Sequence, residues 1–191
     1  RTAVQLDARL MNAAFLGGLV VPNRPDDYLK ANTFLEETRT LMPLEWRLPY
    51  WIGFNYHQIS RNDLAADYYQ KAAQLPEAPA FLTTNQVLML YQSQSLEDTI
   101  KRAEQLLQSV QNEDSRELLQ HRIEWLRTIH RLEGLTAEFK KRFGRWPTDL
   151  QELVQQGLLK EIPHDEVGQG FVLESPGDPE LGYRVRSNLP Y

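Results

Sequence analysis

The chain of 191 residues carries 26 acidic against 21 basic side chains, a net charge of −5, and is 41% hydrophobic with four Trp, eight Tyr and seven Phe. That is apolar surface enough for a core that needs no disulfide or metal. The acidic balance excludes a phosphate-tracking nucleic-acid surface, which requires a local excess of Lys and Arg, and the absence of cysteine excludes disulfide scaffolds, thiolate zinc sites and cysteine nucleophiles.

Helical periodicity begins at Leu6 and runs to about Phe143, broken at clusters of Pro, Gly and Asn. The longest apolar run, Ala13 to Pro22, is about half of a bilayer span. The chain starts at Arg1, which leaves room upstream for a leader or a membrane anchor. After the break at Pro22, Asn23, Arg24 and Pro25, Asp26 or Asp27 is expected to cap a helix running to Leu41, which Pro43 ends. Pro49 suits the first turn of a helix reaching Ser60. Asn62 and Asp63 read as a tight turn before a helix from Leu64 to Leu75, stopped by Pro76. A third pair is expected from Ala80 to Ser93 and from Leu96 to Val110, the latter opened by Ser95 and Asp98 at capping-box spacing. A long helix from Ser115 to Phe143, with a possible bend at Gly134, ends at Gly144 in a basic stretch of Lys140, Lys141, Arg142 and Arg145 that suits a helix C-terminus. Thr148 and Gln151 read as a second capping box for a short helix ending at Gly157. A β-hairpin follows, Phe171 to Glu174 against Tyr183 to Arg186, turned by Pro176, Gly177, Asp178 and Pro179.

A repeat runs through these helices. Ala31, Leu35, Thr38 and Leu41 return 34 residues later as Ala65, Tyr69, Ala72 and Leu75, and after another such step as Thr99, Ala103, Leu106 and Ser109. A helix–turn–helix period of 34 residues is that of the tetratricopeptide repeat. The middle copy resembles that family in Gly53 and Tyr56 of its first helix and in Ala65, Tyr69 and Ala72 of its second. Gly53 and Ala65 should let the two helices approach closely, with Tyr56 and Tyr69 beside them and Trp51 against the neighbouring pair. The flanking copies depart from the pattern: Leu19 and Pro22 stand where Gly and Tyr are expected, and the terminal Pro is displaced to Pro76. The chain is also similar to bacterial membrane-anchored tetratricopeptide proteins of unknown function in Trp46-Arg47, Gly53-Phe54-Asn55-Tyr56, Leu75-Pro76 and Phe143-Gly144-Arg145-Trp146-Pro147. Its tail resembles the C-terminal part of type II secretion major pseudopilins in Trp146-Pro147, Leu150, Leu153, Pro163, Asp165, Gly168 and Ser175-Pro176-Gly177, ending at Ser187. The resemblances imply a mainly α fold: a tetratricopeptide-like α-solenoid of about three helix pairs over 1–112. A capping helix over 113–144 and a small helix-plus-hairpin module over 145–191 complete the division. Trp125, Leu126, Ile129 and Leu132 are expected to close the end of the solenoid.

Catalytic chemistry finds little purchase. His121 and Glu124, and His130 and Glu133, are each a helical turn apart, but the two histidines lie on roughly opposite helix faces with no third ligand in register. Gly17-Gly18 follows a helical stretch and no Lys-Ser or Lys-Thr comes after it, so it is no phosphate loop. The pseudopilin resemblance raises calcium at Asp165, Glu166, Asp178 and Glu180. Acidic residues also populate ordinary polar turns and no dense ligand pattern is present, so no metal or other cofactor is expected. The tetratricopeptide resemblance places a groove on Arg47, Tyr50, Phe54, His57 and Gln58, and on Phe81, Thr84, Leu88, Tyr91 and Gln92. Of these, Arg47, Tyr50, His57, Gln58, Thr84, Tyr91 and Gln92 are the expected partner-binding residues, because Phe54, Phe81 and Leu88 can equally be core. The function expected is a non-catalytic adaptor that takes a protein or peptide segment, with no small-molecule substrate and no nucleic acid. The alternative is a structural part of a bacterial envelope assembly, of secretion or pilus type, acting through the pseudopilin-like tail. The envelope is the expected location.

Overall fold

Seven helices and one antiparallel hairpin make up the computed structural model, which describes residues 24–174 and 183–188. The helical reading from Leu6 to Pro22, Gly17-Gly18, the hairpin turn at Pro176 to Pro179, and Asp178 and Glu180 lie outside the described residues. The protein is thus mainly α with a small C-terminal hairpin, as the sequence implies. The chain divides into two compact units, Arg1–Leu119 and Gln120–Tyr191.

In the first unit the helices are α1 (Pro25–Leu41), α2 (Arg47–Gln58), α3 (Asn62–Ala73), α4 (Phe81–Ser93) and α5 (Leu96–Ser109). Among the described residues, each packs chiefly on its neighbour in the chain, α1 on α2, α2 on α3, α3 on α4 and α4 on α5. Nearest-neighbour packing of this kind is the mark of a stacked helical array. The 34-residue spacing reappears as burial. Ala31, Leu35 and Thr38 of α1, Ala65, Tyr69 and Ala72 of α3, and Thr99 and Ala103 of α5 are all buried. The last position of each set leaves the core, with Leu41 71% exposed and Ser109 exposed. The close approach expected at Gly53 is present. A methyl group there would stand 2.9 Å from Tyr69 Cδ1 and 3.2 Å from the Ala65 carbonyl oxygen, so the Tyr69 ring occupies the space that a side chain would need. Trp51 packs against the buried Leu35, Leu48 and Ile52, tying α2 to α1.

Helix ends differ from expectation in instructive ways. α1 starts on Pro25, and the amides of Asp27 and Tyr28 go to the Arg24 carbonyl; Asp26 and Asp27 sit in the first turn, where their charge favours the dipole. α2 closes earlier than Ser60, because Ser60 takes a left-handed backbone (φ 59°) and Arg61 N–H reaches back to the Tyr56 carbonyl at 2.9 Å. That closure brings Asn62 and Asp63 into α3, where a turn was expected. The Ser95 cap holds as read: its hydroxyl oxygen accepts from Asp98 N–H at 3.1 Å.

α6 (Glu113–Phe143) begins in the first unit, capped by Asn112 Oδ1 on Ser115 N–H at 2.8 Å, and continues without interruption through Gly134 into the second. There it carries Trp125, Leu126, Ile129, Leu132 and Phe139, all buried. α7 (Leu150–Gln155) is capped one residue later than expected. Asp149 accepts from Glu152 N–H at 3.0 Å, and the Glu152 carboxylate returns to Thr148 N–H at 2.8 Å. Glu152 also pairs with Arg145, and this hydrogen bond, followed by the Thr148 amide, holds its pKa down at about 2. α7 lies beside strand β1 (Phe171–Glu174), which pairs with β2 (Arg184–Ser187) in the register Phe171↔Ser187. β2 is thus displaced by one residue from the expected strand, and Tyr183 turns out of it towards the Trp146 ring, 5.6 Å away. No helix among the described residues is long and apolar enough to cross a membrane.

Candidate interaction face

α2 and α4 alternate with the repeated faces of α1, α3 and α5, and the residues expected to bind a partner lie on these two helices. Their meeting point is aromatic. Tyr50 stacks on Tyr69 at 5.8 Å, touches Trp51 at 4.9 Å and meets the edge of Phe81, from α4, at 5.9 Å. Burial in this cluster raises the pKa of the Tyr50 phenol. Phe81 remains 41% exposed, while Phe54, Leu88, Tyr91 and Gln92 are half-buried. Phe54 presents its edge to Trp51 at 5.4 Å.

The polar members have mostly found neighbours within the chain. Arg47 is exposed, pairs with Glu45 at 3.2 Å and sits 5.6 Å above the Trp46 ring. His57 Nδ1 meets Asn62 Oδ1 at 2.8 Å. Thr84 is only 7% exposed, and its hydroxyl donates to the Phe81 carbonyl at 2.8 Å. Gln58 is exposed at the end of α2. What remains on this face is a half-exposed aromatic surface with Arg47 and Gln58 on it.

A second surface was not anticipated. On α1, Leu29, Asn32, Thr33, Glu36, Glu37 and Thr40 line a groove of about 540 Å³, with Tyr56 of α2 also in its wall. Asn32 is 4% exposed; its carbonyl accepts from Asn55 Nδ2 at 2.8 Å, but its own Nδ2 is buried with no acceptor. Glu36 is held in place by Tyr68 O–H at 2.5 Å and Arg39 Nε at 2.6 Å. Burial opposes its charge, yet these donors keep its pKa below the usual carboxylate value. The sequence signal was available in Asn32 and Asn55, amides set among apolar helix positions, though their pairing across 23 residues was not.

In the second unit Asp165 is the organising group. Its Oδ1 accepts from Trp125 Nε1 at 3.0 Å, Val167 N–H at 3.1 Å and Gly168 N–H at 3.0 Å. Its Oδ2 accepts from Gly170 N–H at 3.3 Å and Ser187 O–H at 2.6 Å. Burial alone would raise its pKa, but the donors from Ser187, Gly168, Val167 and Trp125 outweigh it and keep the carboxylate ionised below its ordinary range. Gly168 is forced by the same arrangement: a methyl group would stand 2.7 Å from the Asn188 carbonyl oxygen and 2.8 Å from Asp165 Oδ2. A carboxylate surrounded by five donors has no lone pair left over for a cation, so Asp165 is built as a loop anchor. Glu166 turns outward to His121, 3.6 Å away, with both side chains exposed. Among the described residues no three His, Asp or Glu side chains gather as a metal site would need.

Comparison with protein-family models, with curated proteins and with solved structures finds no match. Fold and surface together define a mainly helical, repeat-like protein with a half-exposed aromatic cluster where α2 and α4 meet.

Proposed function

We propose that this chain is a non-catalytic adaptor of tetratricopeptide kind, which holds a segment of another protein against the α2–α4 face. The observation that carries the reading is the contact of Tyr50 with the exposed Phe81 between α2 and α4, with the half-buried Phe54 and Tyr91 and the exposed Arg47 on the same two helices. Large rings at low conformational cost, next to an arginine, are the side chains that contribute most to protein interfaces. A non-catalytic role is favoured because the polar groups of the face are committed to neighbours, Arg47 to Glu45, His57 to Asn62 and Thr84 to the Phe81 carbonyl. Two helices make a short groove, suited to one peptide or one partner helix.

The test is a photo-crosslinking side chain placed at Phe81 in the native host, with the same group at the exposed Gln105 of α5 as control. A defined adduct at Phe81, lost in an Arg47→Ala, Gln58→Ala, Gln92→Ala background with unchanged circular dichroism, supports the adaptor. Tyr50 is left intact because four rings, Trp46, Trp51, Tyr69 and Phe81, pack on it. Equal adducts at both positions count against the reading.

The second reading is an envelope-assembly component acting through the tail. It is favoured by one feature, that Gln120–Tyr191 is a compact unit anchored on its own Asp165. Crosslinks confined to Ile162 or Val172, the exposed apolar residues of that unit's loop and strand, would favour it over the α2–α4 face.

A further inference from the structure

We infer that the occupant of the α2–α4 face is a helix, and that the side it presents to this chain is uncharged. This rests on the adaptor reading above and narrows it to one class of partner. Charge is divided between the two classes of helix. α2 and α3 have 12 residues each and bury five and four of them, respectively. At that comparable burial α3 carries Asp63, Asp67 and Lys71, whereas α2 has no carboxylate and only Arg47 and His57 as basic groups. α4 has no Asp, Glu, Lys, Arg or His in its 13 residues. α1 and α5, like α3, carry charges of both signs. Arg47 leaves no net charge on the face, since Glu45 lies 3.2 Å from it. Depletion of Lys, Asp and Glu beside aromatic side chains is the composition of an interface core.

The solvent-reaching positions of α4 follow the same pattern. Phe81, Asn85, Leu88 and Gln92 fall at helical spacing on one stripe, exposed or half-buried and all uncharged. A charged side chain brought against that stripe would give up its hydration with no opposite charge to meet. The face therefore selects by excluding charge, whichever its sign. It also selects against an extended segment, in which each residue brings one N–H and one C=O that need partners once buried. The backbone of α2 and α4 is bonded within its own helices. Thr84 donates to the Phe81 carbonyl, and His57 meets Asn62. Asn85, Gln58 and Gln92 are too few and too far apart to match four or five peptide units in a row. A helix satisfies its own backbone and asks only for side-chain contact. From Phe81 to Gln92 is eleven residues, about 16 Å, which is three turns of such a helix.

The experiment extends the crosslinking assay at Phe81 to Asn85→Glu and Asn85→Lys, with circular dichroism confirming the fold. Each should cut the adduct about tenfold, because either sign leaves an unpaired charge in the contact, while Asn85→Gln should keep it. Gln58→Glu and Gln58→Lys, at an exposed position, repeat the test should an Asn85 variant fail to fold. The crosslinked segment, identified by mass spectrometry, is then synthesised and titrated onto the whole chain. Proline at its centre should weaken it about tenfold or more, since proline breaks a helix but is tolerated in an extended peptide. An adduct strengthened by one sign of charge would mean a partner of the opposite charge, and unchanged affinity of the proline peptide would mean an extended one. Either result, or an adduct that survives both charges, overturns the inference and leaves the adaptor reading standing. No adduct at Phe81 before any substitution would overturn both.

Discussion

The two units hold themselves together by opposite means. In Arg1–Leu119, stability is spread over many similar contacts: small residues at 34-residue intervals, a glycine beneath a tyrosine ring, and aromatic pairs between consecutive helices. In Gln120–Tyr191, one carboxylate joins the long helix through Trp125, the 165–170 loop through three backbone amides, and β2 through Ser187. Distributed packing tolerates drift at any one position, which is how a repeat can lose its consensus at both ends and still stack. A hub tolerates none at its centre, and it fixes a loop that has little apolar surface to fix itself.

The sharpest way to break the comparison is at the hub. Asp165→Ala leaves the indole N–H, three loop amides and the Ser187 hydroxyl without their acceptor at once, and each buried donor so stranded costs about 1–3 kcal/mol, softened where water enters. We expect a net loss of about 4 kcal/mol in the second unit. The readout is hydrogen exchange: Val167, Gly168 and Gly170 should lose protection, while amides of α2 and α3 keep theirs. Comparable loss in both units would show that the hub is not local.

The matching perturbation of the first unit is Gly53→Ala. The new methyl would press on Tyr69 Cδ1 at 2.9 Å and on the Ala65 carbonyl. Overpacking of this degree costs about 1–3 kcal/mol, while alanine returns nearly 1 kcal/mol of helix propensity. The expected outcome is a loss of about 1 kcal/mol, read from the urea midpoint at unchanged slope. A gain in stability would mean that α2 and α3 do not meet at Gly53 as described. The contrast with Asp165→Ala is the point: a tightly packed position in the distributed unit should cost a fraction of what the hub costs.

How much of this was legible depended on whether the deciding contact was local. Helices from Pro25 to Phe143 were readable because periodic apolar positions and breakers are properties of short stretches. The Ser95 cap was readable for the same reason. The second cap was misplaced by one residue, since Thr148 with Gln151 and Asp149 with Glu152 satisfy the same spacing. What separates them is Arg145, seven residues from Glu152, which pairs with that carboxylate and draws it over Thr148. Asp165 was visible as an oxygen ligand in search of a partner. Carboxylates serve cations and N–H groups with the same lone pairs, and only the fold shows that Trp125, 40 positions away, and Ser187 arrive first. The α2–α4 face was legible as a row of residues, but not the commitment of Thr84 and His57 within it, and the α1 groove was hidden because Asn32 meets Asn55 only when α1 meets α2.

The finest test of the distributed unit is at the end of α2. Ser60 sits at φ 59°, with its own N–H on the His57 carbonyl and Arg61 N–H on the Tyr56 carbonyl, both at 2.9 Å. This is a Schellman closure with serine at the position that glycine usually fills. Serine's Cβ strains the left-handed backbone there by about 1 kcal/mol, and glycine would relieve it at some cost in unfolded-chain entropy. Ser60→Gly should therefore stabilise the unit by about 0.5 kcal/mol, raising Tm by roughly 1–3 °C. Ser60→Val should destabilise it, because a β-branched residue resists positive φ more strongly than serine does. The two substitutions thus move Tm in opposite directions only if residue 60 holds the left-handed turn. Were both to lower Tm alike, the Ser60 hydroxyl rather than the backbone would be the stabilising element, and the junction of α2 and α3 would owe its geometry to a side chain instead of to the closure.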